Sequence, residues 1–310
     1  MPRRIDTHAH VVPPFYRDWL DEKGVSAGGL PIPEWSEETC LEQNQKNGVE
    51  TSILSVSTPG VYLGKHAKEA KGMARKVNEF CFELVKKKPK NFGYFATLLL
   101  PDVEGSIAEA EYALDHLKAD GVILLSNVGD TYLGDESQEP LMEVLNKRGA
   151  VVFIHPSHLP AKPVETIPPF VADFLLCTVR AAINIMKSEW FEKYPNIKFI
   201  LSHAGGFLPY AADRIAISES GASGYEEVMS ALQSFYFDTA LTGPHAMETL
   251  LKFAHPERIT FGSDWPYAFA PISEWFTSKL ESNSDIDSAT KDRIDRKNAE
   301  FLFPRLAQYK

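Results

Sequence analysis

Residues 198–206 read KFILSHAGG and residues 151–156 read VVFIHP. Each is a short apolar run that ends on a histidine and then meets glycine or proline. A strand with one wet face alternates apolar and polar side chains. An unbroken run belongs instead to a strand covered on both faces, as in a parallel sheet flanked by helices. Working outward from these two, similar runs recur near Arg4–His8, Thr51–Ser57, Phe92–Leu99, Gly121–Ser126, Phe235–Thr239 and Arg258–Ser263, eight in all.

Helical patterns lie between them. In His66–Lys88, Ala67, Ala70, Met73, Ala74, Val77, Phe80, Cys81, Leu84 and Val85 form one stripe at a period of about 3.6 residues. In Glu104–Leu117, Ile107, Ala110, Leu114 and Leu117 repeat the pattern, and Gly149 and Pro195 mark helix ends before the fifth and sixth strands. Eight strand–helix units in series predict an α/β fold of the single (β/α)₈ TIM-barrel type, with residues 1–310 as one domain. No glycine-rich phosphate loop follows any strand, which argues against a nucleotide-binding sheet. The Gly- and Pro-rich stretch Gly24–Trp35 reads either as a lid over one barrel mouth or as a surface excursion. The segment Glu281–Lys297 with AEFLFPRL after it reads as a terminal helix packing back on the barrel.

Lys plus Arg number 32 against 42 Asp plus Glu, and the net charge of −10 disfavours nucleic acid and anionic membranes as partners. Three cysteines, Cys40, Cys81 and Cys177, lack metal-type spacing and fit buried thiols in a reducing compartment. No apolar run is long enough to cross a bilayer, and no apolar segment follows the basic residues of MPRRIDTHAH. The expectation is a cytoplasmic protein that begins at or near Met1.

Metal-type residues sit at strand ends: His8 and His10 on the first strand, His155 on the fifth, His203 on the sixth and Asp264 on the eighth. In a barrel these ends converge on one face. His8 and His10 are two apart, which puts both imidazoles on one side of a strand. One divalent ion can take both, and His155 with Asp264 would complete three nitrogens and one oxygen while leaving a position for water or substrate. Singly, each residue has a plainer reading: a hydrogen-bonded strand-end histidine, a capped turn at His203, an Asx turn or helix cap at Asp264. The joint pattern carries the argument. The fourth strand, GVILLS, offers no lysine to bridge a second metal, so one ion per subunit is expected. His158 is a candidate lining residue. His66 and His116 are expected on solvent-facing helices, and His245 and His255 at loops or helix ends.

RIDTHAH, FIHP, LSHAGG and FGSDWP, in that order between residues 4 and 266, resemble the amidohydrolase superfamily, and more narrowly its metal-dependent decarboxylase branch. DTHAHVVPPFY, STPGVYLG and FATLLLPDVE look most like the 6-methylsalicylate decarboxylases of that branch. The resemblance implies that His8, His10, His155 and Asp264 bind the metal, zinc or alternatively manganese, and that no organic cofactor is needed. It implies that His203 is the active-site acid or base, or holds a water. Asp264 is the other candidate proton donor. Arg214, eleven residues after His203, matches an arginine that binds substrate carboxylate in the neighbouring subunit, which implies a homodimer. Arg17 is the only arginine between His10 and Thr51, at no matching place, which disfavours a substrate with two carboxylates. The segment DFLLCTVRAA also departs from the relatives' pattern.

Non-oxidative decarboxylation of an ortho-hydroxybenzoate, 6-methylsalicylate to m-cresol and CO₂, is therefore the expected activity. A small aromatic acid is the partner, and Trp265, Tyr267, Phe269, Phe15 and Tyr16 are candidates to flank its ring. The rival readings are hydrolysis of a lactone or amide by the same metal-bound water, and a non-catalytic barrel that binds an aromatic acid.

Overall fold

The computed structural model describes residues 3–309. Its main sheet has eight parallel strands: β1 Arg4–His10, β2 Val49–Ser55, β3 Phe92–Thr97, β4 Gly121–Leu125, β5 Val151–His155, β6 Lys198–Leu201, β7 Tyr236–Asp238 and β8 Ile259–Thr260. They are hydrogen-bonded in chain order. The ring closes between β1 and the segment at and beyond β8. Thr7 N donates to Phe261 O at 2.9 Å, Asp264 N to His8 O at 2.7 Å and His10 N to Trp265 O at 2.7 Å. The architecture is the expected TIM barrel.

Helices cover the outside, so the strands are buried on both faces, as their unbroken apolar runs require. The helix Ala67–Lys87 buries Ala70, Met73, Ala74, Val77, Cys81 and Leu84 against the sheet. Asn78 lies on the same buried stripe, where it accepts from Thr97 N at 2.8 Å and donates to Thr97 O at 3.0 Å. The second predicted helix is α-helical over Val103–Glu111 and continues as a π-helical turn through Tyr112–His116.

Two sequence expectations shift. His203 and Asp264 lie beyond their strands, on turns with φ of 53° and 58°, because the strands end at Leu201 and Thr260. The terminal helical stretch starts at Ser288 rather than Glu281, where the Asp287 carboxylate caps it by accepting from Thr290 N at 2.7 Å. From there Ile294, Ala299, Leu302, Phe303 and Leu306 bury against the barrel. The Gly24–Trp35 stretch folds over the mouth. Ala27 and Leu30 exchange backbone hydrogen bonds and line the cavity there. Gly28 has φ of 59°, and a Cβ on it would stand 2.4 Å from the Phe174 ring, so glycine is what lets the loop seat. Among the described residues no helix is long and apolar enough to cross a membrane.

Candidate metal centre

The C-terminal ends of β1 and β5 and the turn after β8 bring His8, His10, His155 and Asp264 together. One ligand atom from each lies within 4.8 Å of all the others, and all four residues are buried. His8 and His10 emerge from alternate positions of β1, and their Nε2 atoms are 3.1 Å apart. Asp264 Oδ1 faces both, at 3.2 Å from His8 Nε2 and 3.0 Å from His10 Nε2.

The far side of each ring decides which nitrogen is free. His8 Nδ1 lies 2.8 Å from Asp238 Oδ2, His10 Nδ1 3.2 Å from Ser55 O and His155 Nδ1 2.9 Å from Pro156 O. Carbonyl and carboxylate oxygens only accept, so each Nδ1 donates and each Nε2 is the nitrogen left to face a metal. Two ring nitrogens each about 2.0 Å from one tetrahedral ion stand about 3.3 Å apart, close to the observed spacing. The donor set fits a divalent metal ion.

The electrostatics agree. Burial pushes the pKa of His155 well below its usual value, reinforced by the neighbouring imidazoles of His10, His8 and His203, and burial also lowers His10. These two rings are neutral and ready to ligate. Burial opposes a proton on His8 too, but the carboxylates of Asp238 and Asp264 outweigh it and lift the pKa to about 10. Burial likewise opposes charge on Asp264, yet the adjacent His8, with His10 and His203 also beside the carboxylate, holds it well below the carboxylate range. Asp6 Oδ1 accepts from His8 N at 3.0 Å and Ser263 N at 3.1 Å, tying β1 to the end of β8.

A cavity of about 640 Å³ opens onto one side of this cluster. His155, His203 and Asp264 line it, with Ser57 and Thr58 beside them and Phe174, Leu241, Tyr267 and Phe269 among the walls. His203 Nε2 is 3.4 Å from Asp264 Oδ2. No lysine or arginine lines the cavity among the described residues.

The chain matches the amidohydrolase family model over residues 5–305. It belongs to the amidohydrolase family. A 6-methylsalicylic acid decarboxylase of Penicillium expansum is 37% identical, over 98% of this chain and 97% of that one. A second, of Aspergillus aculeatus, is 35% identical over 98% and 96%. Among solved structures, one described as an amidohydrolase II superposes with a TM-score of 0.90 at 31% identity, covering 97% of this chain and 99% of that chain.

Within this amidohydrolase barrel, not every predicted residue reaches the site. Trp265 is buried in the core, only its carbonyl reaching His10 N, and the cavity is lined instead by its neighbours Tyr267 and Phe269. Tyr16 is buried with its hydroxyl on Gly60 O, and Phe15 packs against Phe80, so neither lines the cavity. His158 borders a separate groove with Val61 and Leu159. Arg214 is exposed on the helix Leu208–Ser220 and does not line its own chain's cavity. Asp238 was not anticipated, although the strand-end rule applied to Phe235–Thr239 finds it. His245 and Thr242 at the cavity wall carry no such signal, because the loop after β7 has no pattern of its own.

Proposed function

We propose that this chain is a metal-dependent, non-oxidative decarboxylase of ortho-hydroxybenzoates, converting 6-methylsalicylate to m-cresol and CO₂, and that it works as one barrel domain. The gathering of four metal donors, two of which, His155 and Asp264, line an apolar cavity, carries the reading. Such a cavity suits a flat ring with one acidic edge turned to these donors. Two relatives named for this reaction, each covering nearly the whole chain, support it.

His8, His10, His155 and Asp264 hold the metal. We assign zinc, with manganese the alternative, because three imidazole nitrogens and one carboxylate oxygen are usual zinc donors. When bound, the ion supplies Lewis acidity and a template for the substrate's oxygens.

The chain's own groups manage the proton. The ring carbon bearing the carboxylate gains one proton. The carbon–carbon bond then breaks, its electron pair returns to the ring, and the carboxylate leaves as CO₂. Asp264 and His203 hold that proton between Oδ2 and Nε2, within reach of the cavity. Delivery is either direct from Asp264 or through a water that His203 orients. Phe174, Tyr267 and Phe269 exclude water, and an apolar surround disfavours a carboxylate relative to neutral CO₂.

We further assign a homodimer in which Arg214 of one copy serves the other's cavity. Phe207, Tyr210, Arg214 and Ile217 follow one another at three- or four-residue steps, and all are exposed, Tyr210 to 86%. Phe269 and Ile272, exposed at the same cavity rim as Tyr210, extend the patch. An exposed apolar patch of this kind marks an interface. Three free, buried cysteines are in keeping with a cytoplasmic location.

Metal-replete protein incubated with a panel of hydroxybenzoates tests the reading. Release of CO₂ with m-cresol from 6-methylsalicylate is expected. Opening of a lactone or amide, with no CO₂ from any hydroxybenzoate, overturns it in favour of a hydrolase.

A further inference from the structure

We propose that Asp238, at the end of β7, is a positioning residue that holds the metal ligand His8 and the turn carrying His203 in one frame. The inference rests on the metal-site part of the reading above and not on the identity of the substrate. Asp238 is fully buried, and its two oxygens are divided among three partners. Oδ2 accepts from His8 Nδ1 at 2.8 Å, while Oδ1 accepts from His203 N at 3.0 Å and from Ala240 N at 2.9 Å.

Each contact addresses a specific difficulty. An imidazole has two tautomers, and only the one protonated at Nδ1 turns a bare Nε2 toward His10 and Asp264. His10 and His155 have that choice made by neutral carbonyls, whereas His8 has it made by a carboxylate. A charged acceptor donates more electron density through the ring and makes Nε2 the stronger ligand. The other oxygen meets a strained backbone. His203 and Ala204 sit consecutively at φ of 53° and 56°, a region that side-chain-bearing residues adopt only when their surroundings hold them there. The bond from His203 N to Asp238 Oδ1 is such a restraint.

The chain makes room for this arrangement. Gly262 passes between the two residues, and a Cβ there would stand 2.9 Å from His8 Cβ and 3.1 Å from Asp238 Cβ. Any larger residue would push the carboxylate and the imidazole apart. Asp238 thus links β1 to the turn after β6 across the intervening β7 and β8.

The test separates the two contacts. In Asp238→Asn the amide oxygen still accepts from His203 N, but the amide nitrogen is a donor that cannot accept from His8 Nδ1, so the ring must reverse its tautomer. Asp238→Ala removes both contacts. Metal affinity, read by chelator competition without substrate, is expected to fall about 10- to 100-fold in Asp238→Asn. Histidine ¹⁵N shifts of that variant should show His8 protonated at Nε2. Amide exchange at His203 should stay slow in Asp238→Asn and become fast in Asp238→Ala. Native metal affinity in Asp238→Asn overturns the His8 part, and unchanged exchange in Asp238→Ala overturns the His203 part. If Asp238→Ala does not fold, Asp238→Gly with formate added is assayed for restored protection at His203, and failure to restore it counts against the proposal. None of these readouts depends on decarboxylation, so a failure of the activity assay leaves them interpretable.

Discussion

His8 Nε2 lies 3.1 Å from His10 Nε2, each ring having its opposite nitrogen engaged by an acceptor, Asp238 for His8 and the Ser55 carbonyl for His10. Two lone pairs held this close repel unless a cation or a proton stands between them. Replacing His155, which completes the set, should therefore cost the metal. His155→Ala is expected to drop metal content from about one ion per chain to under about a tenth, with activity falling by about 10³-fold or more. Elemental analysis beside a CO₂ assay checks both, and a chelator should reproduce the loss reversibly.

Metal uptake should release a proton. In the metal-free protein His8 carries one throughout the neutral range, its pKa being lifted to about 10 by Asp238 and Asp264 against burial. His10 and His155 are already neutral and Asp264 already ionised. The ion must displace the His8 proton, so apparent affinity should rise about tenfold per pH unit between about pH 7 and 9 and weaken as pH falls. Calorimetry in two buffers of different ionisation enthalpy should count about one proton per ion. A count of zero would contradict the assignment.

Arg4 is buried at the opposite end of β1. Its Nε donates to Asp295 at 2.7 Å, its Nη1 to Asn47 O at 2.6 Å, and its guanidinium lies 5.1 Å from the centre of the Phe261 ring. Arg4→Met strands Asp295 beside the core and should cost about 3 kcal/mol in denaturant unfolding. Because the site lies at the other barrel end, the folded variant should keep its metal affinity.

Cys40, Cys81 and Cys177 are all buried, and burial pushes each thiol's pKa up. None should react with a thiol reagent at pH 8 in the native state, and all three should react once guanidinium unfolds the chain. Fast labelling of one thiol in native protein would show local opening at that position.

Tyr210 and Arg214 probe the homodimer separately. Tyr210→Asp places a charge in the exposed apolar stripe and should shift the protein from dimer to monomer in light scattering. Arg214→Ala should leave the dimer intact and raise KM about tenfold, since it removes a charged contact to substrate. A dimer in both variants with unchanged KM would remove this face from consideration.

Much of the molecule was legible in the chain. The eight apolar runs, the stripe of Ala67–Lys87 and the metal-type residues at strand ends are local patterns, because strand and helix periodicities are written into neighbouring residues. The position of Trp265 was not legible. Trp265 and Tyr267 are two residues apart and both aromatic, yet only Tyr267 lines the cavity, because the turn after β8 sends the Trp265 side chain into the core. Sequence neighbours carry no record of that turn's direction.

The sequence by itself determined the barrel, its strand order and the four side chains able to bind a metal, since burial on both faces and strand-end placement follow from pattern alone. Only the tertiary structure decided which nitrogen each histidine presents. That choice belongs to acceptors as remote as Asp238, 230 residues from His8. It also decided that the cavity is apolar and that Arg214 does not line its own chain's cavity. Hydrogen-bond direction and cavity shape are properties of residues that meet through folding, and no local pattern encodes them.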